Sequence, residues 1–91
     1  LIANNRLDDA KRLLDHILAA KPDDSETQSL LATIAVAQKD YDAAISLFRR
    51  ILVREPGAER VRLELARAFF LKEDYDNADR QFRFARAGNV D

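Results

Sequence analysis

Three sets of side chains in this 91-residue chain have the types that chemistry needs. His16 follows Asp15, and a histidine beside a carboxylate can move protons. Asp40 with Asp42, and Asp74 with Asp76, pair carboxylates in the way that opens a calcium loop. Arg60 and Arg67 stand seven residues apart, so on a helix two guanidiniums share one stripe and can clamp a carboxylate.

The elements that must hold these residues repeat. Asp40-Tyr41-Asp42 returns as Asp74-Tyr75-Asp76, 34 residues on, with Arg6-Leu7-Asp8 as a weaker copy one period earlier. Ala10, Ala44 and Ala78 share a register, as do Leu14, Phe48 and Phe82, and Ile17, Ile51 and Ala85. Pro22 matches Pro56, and Leu31-Ala32 matches Leu65-Ala66. Within a period the apolar residues have helical spacing. Leu30, Leu31, Ile34 and Ala35 form one face, and Ala44, Ile45, Leu47, Phe48, Ile51 and Leu52 another. Each period is therefore helix–turn–helix, with Lys39-Asp40 as the polar turn.

The spacing predicts a helical stub at 1–4 and helices near 7–20, 25–38, 41–54, 58–72 and 75–87. Ser25-Glu26-Thr27-Gln28 fits a capping box with the Ser25 hydroxyl as cap. Asp40 and Asp74 are placed to cap the second helix of each pair, with Asp42 and Asp76 in first turns. Pro22, Pro56-Gly57 and Gly88 are expected to end those helices, with Arg54 and Arg86 in last turns. Two Gly and two Pro are too few for the turns of a small β domain, so the fold class is all-α.

These elements remove most of the chemistry. His16 lies off the apolar face of Leu13, Leu14, Ile17 and Leu18, with no nucleophile near it, and reads as a solvated histidine. The paired aspartates lack the mid-loop Gly and closing Glu of a calcium loop, and read as caps. With no Cys and one His, no metal site is expected, and no cofactor is. The chain is read as non-enzymatic.

Charge excludes more. Residues 1–48 carry five Lys/Arg against eight Asp/Glu (−3), and residues 49–91 carry ten against eight (+2), for a net charge of −1. Arg49, Arg50, Arg54, Arg60, Arg62 and Arg67 are interleaved with Glu55, Glu59 and Glu64, a mixed-charge surface rather than a nucleic-acid footprint. No apolar run is long enough to insert into a membrane. The chain has no Met and opens inside an apolar stretch, Leu1-Ile2-Ala3, so it reads as a piece of a longer protein.

The repeated Ala32/Ala66, Ala10/Ala44/Ala78, Tyr41/Tyr75 and Pro22/Pro56 resemble the tetratricopeptide repeat. The resemblance implies an antiparallel α-solenoid of about two and two-thirds repeats. It forms one domain over 1–91, with a truncated repeat at 1–24 and full ones at 25–58 and 59–91. Leu7, Arg6 and Val90 depart from the pattern. It also implies a concave groove lined by the first helix of each pair, taking a protein or peptide partner. The groove residues would be Glu26, Ser29, Thr33, Val36 and Ala37, then Arg60, Leu63, Glu64, Arg67, Phe70 and Leu71. Ser29, Thr33, Leu63 and Arg67 depart from the Lys/Asn-rich clamp that some members use for acidic chaperone tails.

The run from Arg60 through Phe69-Phe70 and Asp74-Tyr75 to Arg80-Gln81-Phe82 also resembles the last repeat before the barrel in surface lipoprotein assembly modifiers. That resemblance implies a periplasmic location, with a cytoplasmic one as the alternative, and a client protein as partner. The second function weighed is a structural scaffold acting through the repeat ends. There Leu7, Leu14, Leu18, Phe82 and Phe84 would be bared and would drive homo-oligomers.

Overall fold

The computed structural model describes the backbone of residues 2–90 and the side chains of residues 6–86. The apolar opening Leu1-Ile2-Ala3 and the closing Val90-Asp91 lie outside the described side chains. Among the described residues five helices follow one another: α1 (Ile2–Ala20), α2 (Ser25–Ala37), α3 (Tyr41–Arg54), α4 (Glu59–Leu71) and α5 (Tyr75–Val90). No strand occurs among the described residues. Each helix packs on the next in a slab of 41 × 28 × 16 Å.

Both outer helices are longer than expected. The stub and first helix are one continuous α1, because Asn4-Asn5-Arg6 holds neither a Pro nor the capping Asp that the later periods have there. Helix α5 runs through Gly88 to Val90, so Gly88 does not end it and Arg86 is not in its last turn. A glycine permits a stop without enforcing one, and Val90 stands where the earlier periods place Pro.

Helix starts follow the carboxylates. Asp40 accepts from the Ala43 N–H at 3.3 Å, and Asp74 from the Asn77 N–H at 3.4 Å. The cap of α2 is Asp24, not Ser25: Asp24 accepts from the Thr27 N–H at 3.3 Å and from the Thr27 hydroxyl. A carboxylate one residue upstream outcompetes the hydroxyl for the orphan N–H. Ser25 is left to donate to Glu55 and accept from Arg54 at the end of α3. The Thr27 donors hold the Asp24 carboxyl below its ordinary value of 3.8. The Asn77 side-chain amide and N–H do the same for Asp74.

The turns inside each pair share one geometry. Asp40 N–H reaches Ala35 O at 2.8 Å and Lys39 N–H reaches Val36 O at 3.0 Å; Asp74 and Glu73 reach Phe69 O and Phe70 O at 2.8 and 2.9 Å. This is the Schellman motif, with Lys39 (φ 63°) and Glu73 (φ 69°) in the left-handed position that usually holds Gly.

Ala32, Ala44, Ala66 and Ala78 are buried where paired helices cross, and the core runs through Ile45, Phe48, Ile51, Leu65 and Phe69. Two polar contacts recur with the period. Gln28 donates to Pro22 O at 3.0 Å, and Arg62 to Pro56 O at 3.0 Å. Gln38 donates to Asp8 at 2.9 Å, and Lys72 donates to and pairs with Asp42. Each ties a first helix to the pair before it. The Asp8 and Asp42 carboxylates thus take part in stacking one pair on the next.

Candidate functional site

The repeat geometry decides what α4 can offer. Leu65, Ala66, Ala68 and Phe69 are buried, so the opposite stripe faces outward. On that stripe Arg60, Leu63, Arg67, Phe70 and Leu71 are all exposed, and Glu64 is half-buried. Phe70 is 53% exposed and meets Tyr75 edge-on, ring centroids 5.3 Å apart at 62°. Among the described residues, no carboxylate lies within 4.0 Å of Arg60 or Arg67. Glu64 therefore does not neutralise them, and both guanidiniums are available to a carboxylate from outside.

Helix α2 presents the equivalent stripe 34 residues earlier. Glu26, Thr33 and Ala37 are exposed, and Ser29 and Val36 half-buried. The Thr33 hydroxyl donates to Ser29 O at 3.0 Å, which spends it on its own helix. Leu30 is 46% exposed and belongs to this outward side, not to the apolar face expected for it. The buried side of α2 is instead completed by Thr27, whose hydroxyl donates to Asp24, and Gln28, whose side-chain amide donates to Pro22 O. A residue beside Leu31 in sequence lies about 100° around the helix from it, so an apolar pair straddles the boundary.

His16 is exposed on α1, as a solvated histidine should be. Among the described residues no cluster of His, Cys, Asp and Glu could hold a metal ion. No helix among the described residues is long and apolar enough to cross a membrane.

Comparison with known proteins agrees with the period. Residues 27–82, more than half of the chain, match the family model described as surface lipoprotein assembly modifier, N-terminal TPR repeats. Residues 1–34 match a tetratricopeptide repeat model. The chain is 36% identical over 67 residues to human (Homo sapiens) tetratricopeptide repeat protein 21B, covering 74% of this chain and 5% of that protein. It superposes on the solved structure of MamA MSR-1 C2 with a TM-score of 0.77 at 25% identity, covering 92% of this chain and 48% of that one. The chain thus spans a small part of the curated relative and about half of the solved one. It belongs to the tetratricopeptide repeat family, matched through repeats of the kind that stand N-terminal in surface lipoprotein assembly modifiers, and such repeats are protein–protein interaction modules.

Proposed function

We propose that this chain is a non-catalytic docking module that takes a peptide or client segment along the outward stripes of α2 and α4. One observation carries the reading: Arg60, Leu63, Arg67, Phe70 and Leu71 are exposed together on one side of a helix whose other side is core. Unpaired guanidiniums beside apolar side chains suit a segment that mixes a carboxylate with apolar residues. Glu26, Ser29 and Thr33 extend the surface onto α2 with a more polar character. The match to surface lipoprotein assembly modifiers supports a lipoprotein client and a periplasmic setting.

A random peptide library displayed on phage, selected on this chain, tests the reading. Clones that lose binding to an Arg60→Glu/Arg67→Glu variant support it. Clones indifferent to that variant and to Phe70→Ser overturn it.

A second reading has its own observation. Leu13 and Ile17 on α1, and Phe82 and Phe84 on α5, are exposed at the two ends of the stack. They favour a scaffold that associates through its ends. The residues bared on α1 are Leu13 and Ile17, whereas Leu7, Leu14 and Leu18 are half-buried on the side that α2 packs against.

A further inference from the structure

A second groove lies on the other side of α4. Its walls are α3 and the start of α5, and its floor is Phe69 and Leu65 of α4 with Ile45 of α3. Two open cavities of about 530 and 290 Å³ share Arg49 and Val53. Phe69 and Phe70 are neighbours in sequence, yet Phe69 is buried beneath this groove while Phe70 stands on the outward stripe.

The charges here are unevenly spent. The Arg49 guanidinium lies over the Phe69 ring, 5.3 Å from its centroid. That contact uses the flat face of the group and leaves N–H donors at its edge. Among the described residues, no carboxylate lies within 4.0 Å of Arg49 or Arg50. Arg62 is bonded to the neutral Gln81 and to Pro56 O. The groove's two carboxylates are occupied, Asp42 by Lys72 and Asp74 by the cap of α5. The net charge left open is positive. Beside it stands Val53, 81% exposed.

We propose that the α3/α5 groove docks a protein segment carrying adjacent carboxylates next to apolar side chains. The carboxylates pair with Arg49 and Arg50, and an apolar side chain covers Val53. Charge complementarity fixes the sign of the partner. At the opposite end of the groove Asp42 is neutralised by Lys72 while Asp74, bonded to the neutral Asn77, keeps its negative charge. The open positive charge is thus confined to Arg49 and Arg50 and suits a short acidic cluster rather than a continuous polyphosphate. This surface is separate from the Arg60–Arg67 stripe, so either proposal can fail without the other.

The test is fluorescence anisotropy of a labelled peptide built on Leu-Glu-Glu-Leu, with a single-stranded oligouridylate as competitor. Arg49 packs on the core, so the decisive variants are Arg50→Glu and Val53→Asp, both at exposed positions, with wild-type circular dichroism required of each. The expected result is saturable binding that each variant weakens by about tenfold, Arg50→Glu through the loss of a charge-assisted contact and Val53→Asp through the loss of an apolar one beside the peptide's carboxylates. Because the Arg60–Arg67 stripe suits a segment of the same chemistry, the measurements are made in the Arg60→Glu/Arg67→Glu chain, where binding should persist and depend on Arg50 and Val53. Absence of saturable binding in that chain, binding there that neither Arg50→Glu nor Val53→Asp weakens, or displacement of the peptide by oligouridylate would each overturn the proposal.

Discussion

Phe82 stands 34 residues after Phe48 in the same register, yet Phe82 is 44% exposed and Phe48 only 1%. The cause is the helix that follows. Helix α4 packs on α3 and brings Leu65, Ala68 and Phe69 into one cluster with Phe48, whereas no described helix covers that side of α5. Phe48→Ala should therefore cost about 3–5 kcal/mol, while Phe82→Ala stays within about 1 kcal/mol. Urea unfolding of the two variants measures the difference. In sedimentation at high concentration, the parent chain should associate and Leu13→Ser/Phe82→Ser should not.

The register has a sharper test in the paired helices. Ala44 is fully buried beside Ala32, and Ala43 is half-buried at the edge of the cluster. Ala44→Leu overpacks the crossing and should cost about 1–3 kcal/mol. Ala43→Leu should cost clearly less. Equal melting temperatures would refute the alignment of the periods.

What was legible in the sequence is what recurs. Asp40 and Asp74 cap as expected, the small residues sit at helix crossings, and five helices fall near their predicted places, because each signal is local and stated twice. What was not legible depends on competition or on distant neighbours. Ser25 and Asp24 are both good caps, and only the folded chain shows that Glu55 and Arg54 draw the Ser25 hydroxyl away. Arg49 and Phe69 are 20 residues apart with no copy in another period, so nothing marked the groove they share. The recurrent Gln28–Pro22 and Arg62–Pro56 contacts do obey the period. Gln and Arg are different enough as residue types that the match is visible only from their shared carbonyl acceptor.

The turns carry strain that a substitution can release. Lys39 and Glu73 both hold the left-handed conformation, which costs a residue with a Cβ about 1–2 kcal/mol. Glycine removes that cost but loses more entropy on folding, by about 0.5–1 kcal/mol. Lys39→Gly should thus be stabilising by a few tenths to about 1 kcal/mol. Lys39→Val should be destabilising, since a β-branched residue is a poor occupant of that region. Chemical denaturation that ranks Val above the parent Lys would contradict the geometry.

Acid should weaken the fold through the caps. The carboxyls of Asp24 and Asp74 are held below their ordinary value of 3.8, chiefly by side-chain donors, the Thr27 hydroxyl and the Asn77 amide. A depressed folded-state pKa means that the unfolded chain binds the proton more readily. The stabilisation is therefore complete above the unfolded value and is lost as pH falls from about 4 through the folded one. Thr27→Val removes the hydroxyl that donates to Asp24 while keeping the backbone N–H. Carbon-detected titration should show the Asp24 carboxyl moving up toward its ordinary value in that variant, with Asp74 unmoved. The unfolding midpoint of Asp24→Asn/Asp74→Asn should vary less between pH 5 and pH 2 than that of the parent, because neither asparagine can take up the proton that weakens the native caps. An unchanged acid limb would place the acid sensitivity in other carboxylates and remove the caps from the account.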